Sequence, residues 1–128
     1  MRILLDTHVL LWALSAPKRL GKEARSAIED PVNEVMFSAA SIWEIAIKSA
    51  LKKVGFGVTP DEILDAAIQS GLAELPVRSE AAAHVAKLPP HHRDPFDRLL
   101  IAQAVTGPLI LYTADTRLVA YSELVHRI

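Results

Sequence analysis

The sequence predicts an α/β protein with a central, mostly parallel sheet flanked by helices. Short apolar runs typical of buried strands alternate along the 128 residues with longer apolar segments of helical spacing. Proline or glycine separates most of these segments, as at Asp30-Pro31 and Gly107-Pro108. Strands that alternate with helices are joined by crossover connections, so they are expected to lie parallel in one sheet.

Two strand–helix units are predicted in the first half of the chain. Each strand is a short apolar run, and each helix carries apolar residues at helical spacing up to a proline or glycine. The predicted elements are a strand at 3–5, a helix at 9–14 before Pro17, a helix at 21–29, a strand at 35–37, and a helix at 42–50 that is capped by Ser38 or Ser41 and ended by Gly55 and Gly57.

The second half continues the alternation, and its helix starts are clearer. A cap residue followed by proline marks the first position of two helices, at Thr59-Pro60 and at Asp94-Pro95. The predicted elements are a helix from Pro60 that Gly71 closes, an extended piece at 75–77, a small helix at 79–88, a helix from Pro95 that Gly107-Pro108 ends, a strand at 109–112, a helical turn at 116–121, and an edge strand at 124–128.

The composition predicts one globular domain over residues 1–128. Hydrophobic residues make up 51% of the chain and charged residues 23%, which excludes a disordered protein. The absence of cysteine excludes disulfides and thiolate chemistry, so the expected compartment is the cytoplasm. No apolar run has the length of a membrane-spanning helix, so we expect no contact with a membrane. The net charge of −1 argues only weakly against a nucleic-acid partner.

Acidic residues occur where the predicted sheet and helices would bring them together. Asp6 directly follows the first strand, and Asp115 closely follows the strand at 109–112. Asp97 lies in the first turn of an apolar helix, and Glu44 lies within another. Parallel strands open their carboxyl ends on one crevice, which is where open α/β sheets bind ligands. Carboxylates gathered there repel one another unless a cation holds them, and Mg2+ or Mn2+ prefers such oxygen ligands.

Each of these acids also has a purely structural interpretation. Asp6 fits the end of a strand or a helix cap, and Asp115 fits a turn. Glu44 stands three residues after Ser41 and four before Lys48, the spacings of a capping box and of a helical ion pair. Taken singly, the acids are explained this way, and a cap is the preferred interpretation of Asp94. Together they favour a metal site, because independent caps need not converge.

Other polar and aromatic residues give weaker signals. The five histidines lack zinc-ligand spacing, so His91 and His92 are interpreted as a loop pair that positions the helix entrance or touches substrate. Aromatic residues total 5%, so Trp12 and Trp43 are expected in the core or in an interface instead of stacking on bases. The candidate phosphate contacts, each equally explained as a solvated or ion-paired charge, are Lys48, Arg93, Arg98 and Arg117.

Four segments together resemble PIN-domain ribonucleases of the VapC toxin type. They are Ile3–Trp12, Ser38–Lys48, Asp94–Ala104 and Tyr112–Asp115, which span nearly the whole chain in the family's order. The resemblance implies a PIN fold, a Mg2+- or Mn2+-dependent endoribonuclease, a cognate antitoxin of the VapB kind, and a homodimer. The family's acidic quartet falls on Asp6, Glu44, Asp97 and Asp115, with Asp94 nearby. Two positions depart from the family pattern: Tyr112, usually aliphatic, and Thr116–Leu118, which lacks an aromatic residue.

We expect hydrolysis of an RNA phosphodiester by metal-activated water. Asp6 and Asp97 would be the principal ligands, Glu44 and Asp115 would complete the site, and Thr113 would add a hydroxyl contact. Two other functions stay open. A phosphatase of the haloacid dehalogenase type would need a second aspartate where His8 stands, and a non-catalytic PIN-fold binding module would dock only to a partner or RNA. The apolar residues that either fill the core or line a groove for an antitoxin helix are Leu11, Trp12, Trp43 and Ile47.

Overall fold

A wholly parallel five-stranded sheet forms the centre of the computed structural model, which describes residues 1–51 and 57–128. The strand order is β3-β2-β1-β4-β5, and all four neighbouring pairs run parallel. The strands are β1 (Arg2–Leu5), β2 (Glu34–Ser38), β3 (Ala73–Leu75), β4 (Ile110–Thr113) and β5 (Val125–Arg127). The first strand of the chain therefore lies at the centre of the sheet, and the predicted α/β fold is confirmed.

Helices connect the strands and cover both faces of the sheet. The α-helices are α1 (Thr7–Ser15), α2 (Lys22–Glu29), α3 (Ala39–Ala50), α4 (Pro60–Gln69), α5 (Ser79–His84) and α6 (Pro95–Thr106). Short 3₁₀ helices cover Pro17–Leu20, Val85–Lys87 and Thr116–Tyr121. Among these described helices, none combines the length and the apolar character that crossing a bilayer requires.

The core consists of two apolar clusters, one on each face of the sheet. Successive side chains of a strand point to opposite faces, so Ile3 and Leu5 join one cluster while Leu4 joins the other. The first cluster packs against α1 and α3, with Val9 and Ile45 fully buried. The second packs mainly against α6. Because both faces of a parallel sheet must be covered, its strands are continuous apolar runs in which apolar and polar residues do not alternate.

The predicted helix starts and stops agree closely with the structure. Thr59 and Asp94 cap α4 and α6 with proline at the next position, and α6 ends at Thr106, before Gly107. Of the two candidate caps for α3, Ser38 is the one that accepts from a backbone N–H. The proposed stop at Gly55 lies outside the described residues.

Two predicted elements differ from the observed ones. The extended piece expected at 75–77 is a strand at Ala73–Leu75, two residues earlier, because Pro76 has no N–H to donate to a sheet ladder. The helix expected over 79–88 is α-helical only to His84 and continues as a 3₁₀ helix at Val85–Lys87. Leu88 then adopts an extended conformation ahead of Pro89, as a residue before proline prefers.

Candidate active site

Asp6 lies at the carboxyl end of the central strand β1, where it also caps α1. Its carboxylate accepts a hydrogen bond of 2.8 Å from the backbone N–H of Val9, and only 5% of the residue is exposed. Burial raises the pKa of Asp6, although hydrogen bonds from Thr113 and Val9 and the nearby His8 work in the opposite direction. The structural interpretation of Asp6 as a cap is thus correct, but the carboxylate also faces the end of β4.

Glu44 reaches the same edge of the sheet from α3 and is 3% exposed. Its Oε1 accepts a hydrogen bond of 2.6 Å from the Thr7 hydroxyl, which also bonds Ser41 at 2.9 Å. Its Oε2 forms an ion pair with Lys48, one turn further along the helix. Burial works against the Lys48 charge, but the hydrogen bond and the charge of Glu44 outweigh it and raise the pKa of the ammonium group.

Asp94 and Asp97 occupy the N-terminal end of α6 in different roles. Asp94 Oδ1 accepts from the backbone N–H groups of Phe96 at 2.8 Å and Asp97 at 3.1 Å, so Asp94 is the helix cap. The Asp97 side chain instead points toward the sheet edge, and burial and the negative charge of Asp94 raise its pKa to about 6. The charges of Asp6 and Glu44 contribute in the same direction, although less than burial and the charge of Asp94.

Asp115 approaches from the loop after β4 and starts the 3₁₀ helix Thr116–Tyr121. Its carboxylate accepts from the Arg117 backbone N–H and from the Arg117 guanidinium, with contacts of 2.8–3.0 Å. These bonds lower the pKa of Asp115. The Thr113 hydroxyl at the end of β4 accepts from the Asp115 N–H at 3.0 Å and bonds the Asp6 side chain, so it connects two of the acids.

His92 belongs to this cluster, in agreement with its interpretation as a loop residue at the helix entrance, but its bond to Asp97 was not predicted. Its Nε2 lies 2.8 Å from Asp97 Oδ2, and ligand atoms of His92, Asp97 and Asp115 lie within 4.8 Å of one another. The ring reaches Asp97 because the loop before α6 folds back over the first helical turn. Loop conformation of this kind leaves no spacing signal in a sequence. Thr7 was missed for a different reason, since its role depends on α1 and α3 packing side by side.

The four candidate phosphate contacts fall into different environments. Lys48 is half-buried against Glu44, Arg117 is exposed beside Asp115, and Arg93 is exposed at the entrance to α6. The Arg98 guanidinium donates to the backbone carbonyls of Val85, Leu88 and Pro89. Arg98 therefore holds the loop before α6, and we remove it from the phosphate contacts.

The donor chemistry of the cluster fits a hard divalent cation. Among the described residues, ligand atoms of Asp97 and Asp115 lie within 4.8 Å of each other and of His92, whereas Asp6 and Glu44 do not belong to that group and are linked to Asp97 through their charges. Asp6 and Asp97 have raised pKa values. A cation that satisfies oxygen ligands would relieve the mutual repulsion that raises the pKa of Asp97. A ligand set made mainly of carboxylates suits Mg2+ or Mn2+ better than the metals that imidazole favours.

The apolar residues predicted to line a groove divide between core and surface. Leu11 is buried and Trp12 and Ile47 are half-buried, whereas Trp43 on α3 is 59% exposed. The Trp43 ring makes an edge contact with Phe96, with ring centroids 5.1 Å apart. An exposed apolar surface on α3 thus adjoins the N-terminal end of α6, next to the acidic cluster.

Comparison with known proteins gives a family match over most of the chain. The PIN domain family model matches residues 3–124. Ribonuclease VapC22 of Mycobacterium tuberculosis is 31% identical over 116 residues, which cover 91% of this chain and 88% of that protein.

Two solved structures share the fold at lower identity. VapBC2 from Rickettsia felis bound to a promoter DNA fragment has a TM-score of 0.70 and 13% identity, and the match covers 98% of this chain and 96% of that one. FitAcB from Neisseria gonorrhoeae has a TM-score of 0.53 and 24% identity, over 91% and 89%. From the family match, the 31% identity to a VapC ribonuclease and the shared fold, it follows that this chain belongs to the PIN domain family.

Proposed function

We propose that this chain is a Mg2+- or Mn2+-dependent endoribonuclease, acting in the cytoplasm as the toxin of a type II toxin–antitoxin pair. The observation that carries the proposal is the group of His92, Asp97 and Asp115, whose ligand atoms lie within 4.8 Å of one another, and burial together with the charges of Asp94, Asp6 and Glu44 raises the pKa of Asp97 to about 6. The similarity to Ribonuclease VapC22 supports RNA as the substrate. Clustered carboxylates of this kind serve metal-assisted hydrolysis.

In this proposal, the four acids have different roles in binding the metal. Asp6 and Asp97 are the principal ligands, and Glu44 and Asp115 complete the site directly or through water. When bound, the cation lowers the pKa of its water and offsets charge that develops on the phosphate. The Thr113 hydroxyl orients the Asp6 carboxylate, and the Thr7 hydroxyl orients that of Glu44.

The basic residues at the rim contact the RNA backbone. Arg93, which directly precedes Asp94 in the chain, is exposed, Arg117 is exposed beside Asp115, and Lys48 lies beside Glu44. Such contacts position the substrate without reading its sequence. In-line hydrolysis at this site would leave a 5′-phosphate and a 3′-hydroxyl, whereas a 2′,3′-cyclic phosphate would contradict direct attack by water.

Cleavage of cellular RNA by the purified, partner-free chain tests this function. We expect fragments with Mg2+ or Mn2+ that disappear with EDTA and in Asp97→Asn. Asp65→Asn, which neutralises an exposed acid on α4, is the matched control and should cleave like wild type. Metal binding without cleavage of any RNA supplied would contradict a broad nuclease, and no metal binding would favour a non-catalytic binding module.

We further propose that an antitoxin of the VapB kind covers the exposed surface of α3, and that the chain forms a homodimer. The antitoxin is supported by the 31% identity to a VapC ribonuclease and by Trp43, an apolar side chain on α3 that is 59% exposed and that a partner helix would cover. Co-expression followed by gel filtration tests both statements. Trp43→Ser should weaken the complex, while Val32→Ser, at an 83% exposed position before β2, should leave it intact. A monomer that ignores its partner would contradict both.

A further inference from the structure

A network of hydrogen bonds holds the loop that carries His92. At its centre, the Arg98 guanidinium on α6 donates to the carbonyls of Val85 at 3.0 Å, Leu88 at 3.3 Å and Pro89 at 2.9 Å. One side chain on a helix therefore binds three backbone carbonyls of the preceding segment, one in the 3₁₀ helix Val85–Lys87 and two in the loop after it. Hydrogen bonds from a charged donor are among the stronger ones, so this loop is tied firmly to the first turns of α6.

Tyr121 extends the network to the 3₁₀ helix Thr116–Tyr121. Its hydroxyl accepts from Arg98 Nη1 at 3.2 Å and donates to the His92 carbonyl at 3.3 Å. Its ring also makes an edge contact with His91, with ring centroids 5.0 Å apart. The Tyr121 hydroxyl thus both accepts and donates a hydrogen bond. It fixes the backbone of His92 from the 3₁₀ helix Thr116–Tyr121.

The last bond of the network reaches the acidic cluster. The His92 side chain is only 10% exposed, and its Nε2 lies 2.8 Å from Asp97 Oδ2. Because the backbone of His92 is held by Tyr121, the direction in which the ring meets the carboxylate is restricted. Rotation of the Asp97 carboxylate is restricted in turn.

We propose that Arg98, Tyr121 and His92 form a positioning network that holds the Asp97 carboxylate in the orientation needed to bind metal. This inference rests on the proposed function, and it makes His92 a positioning residue that acts through Asp97. Hydrogen-bond partners of ligating carboxylates fix their orientation, and their loss typically weakens metal binding tenfold to a hundredfold. The network also explains why an arginine next to the acidic site is not available to phosphate.

Two substitutions of His92 separate positioning from direct coordination. His92→Leu removes the hydrogen bond and should weaken Mn2+ binding, measured by calorimetry on the full chain, about tenfold or more. His92→Gln places an amide N–H near the position of Nε2 and should restore most of the affinity. Equal loss of affinity in both variants would make the imidazole itself the ligand and overturn the proposal.

Tyr121→Phe tests the connection at a distance from the carboxylate. It removes one hydroxyl and should weaken Mn2+ binding about fivefold at most, as expected for one hydrogen bond. Tyr112→Phe, which removes a hydroxyl from the opposite face of the sheet, is the matched control and should have no effect. In the metal-free protein, Tyr121→Phe should also shift the ring ¹⁵N resonances of His92. Unchanged affinity and unchanged resonances would overturn the network.

Arg98→Lys tests the arginine at the centre of the network. Lysine cannot donate to several carbonyls as the planar guanidinium of arginine does, so Mn2+ affinity should fall as in Tyr121→Phe, whereas Arg25→Lys on α2 should bind like wild type.

The proposed function and this inference fail differently. If wild type neither binds Mn2+ nor cleaves RNA, the function is wrong; if wild type does both and all three network variants match it, only the network is wrong.

Discussion

The two halves of the acidic site hold their negative charges in opposite ways. In one half, named inner for its raised pKa values and not for its depth, burial raises the pKa of Asp6, and burial together with neighbouring carboxylates raises that of Asp97 to about 6. In the outer half, Glu44 is paired with Lys48, and Arg117 lowers the pKa of Asp115. The fold therefore leaves the inner charges unfavourable and neutralises the outer ones with its own cations.

This difference separates the roles that we propose for the four acids. A divalent cation gains most where carboxylates repel one another, so the inner pair is assigned as the principal ligands. The outer acids already have cationic partners, and those cations are placed to meet phosphate oxygens as RNA approaches. We therefore expect substitutions in the two halves to differ in the size of their effect on kcat, in the sign of their effect on stability, and in the pH dependence of metal binding.

The largest effect is expected from neutralising the inner pair. Asp97→Asn or Asp6→Asn should lower kcat for RNA cleavage about a thousandfold, which corresponds to several kcal/mol of lost charge stabilisation. Asp115→Asn should lower kcat only about tenfold, since Asp115 is not one of the two principal ligands. Initial rates at one Mn2+ concentration that saturates the wild type measure this ratio, and equal losses in both halves would contradict the division.

Asp97→Asn should also stabilise the metal-free protein. The folded-state pKa of Asp97, about 6, lies above the ordinary value of 3.8, so its favourable contribution is present below pH 4 and is lost as the pH rises through 6. At pH 7, Asp97→Asn should therefore raise the free energy of unfolding by about 1–3 kcal/mol. Urea unfolding in EDTA at pH 7 and pH 4 measures this, and the gain should shrink at pH 4. A destabilised Asn variant at pH 7 would contradict unfavourable charge at this position.

Metal binding should weaken in acid because a proton competes for Asp97. Below about pH 6, where Asp97 becomes protonated, Mn2+ affinity should fall about tenfold per pH unit, and above pH 7 it should level off. Calorimetry between pH 5 and pH 7.5 tests this, with Asp115→Asn as a variant that keeps the same profile. A profile without pH dependence in this range would argue that Asp97 is not a ligand.

The smallest effect is expected at the rim. Arg117→Gln should raise KM for RNA a few-fold and reduce the dependence of KM on salt, with kcat nearly unchanged, because it removes one phosphate contact. Arg25→Gln, at an exposed ion pair with Glu29 on α2, is the control for net charge. A large fall in kcat with no change in KM would place Arg117 in the chemistry instead.

The elements of the fold were predictable because their signals are local. Caps and prolines such as Thr59-Pro60 and Asp94-Pro95 mark helix starts within a few residues, and buried parallel strands are plain apolar runs. Of the predicted acids, Asp97 and Asp115 are brought close together, while a metal site shared by all four stays a prediction. The hydrogen bonds of Thr7 to Glu44 and of His92 to Asp97 were not predictable, because they depend on packing and loop conformation. Arg98 was misassigned for the same reason.

The most direct test of the account follows RNA cleavage and Mn2+ binding on the same partner-free preparation. Initial cleavage rates and calorimetric binding are measured against Mn2+ concentration for wild type and for Asp97→Asn. We expect the two wild-type curves to share one midpoint, and we expect Asp97→Asn to stay folded and lose both signals. Cleavage that persists in EDTA or in Asp97→Asn, or that saturates at a concentration unrelated to binding, would contradict the acidic cluster as the metal-dependent active site.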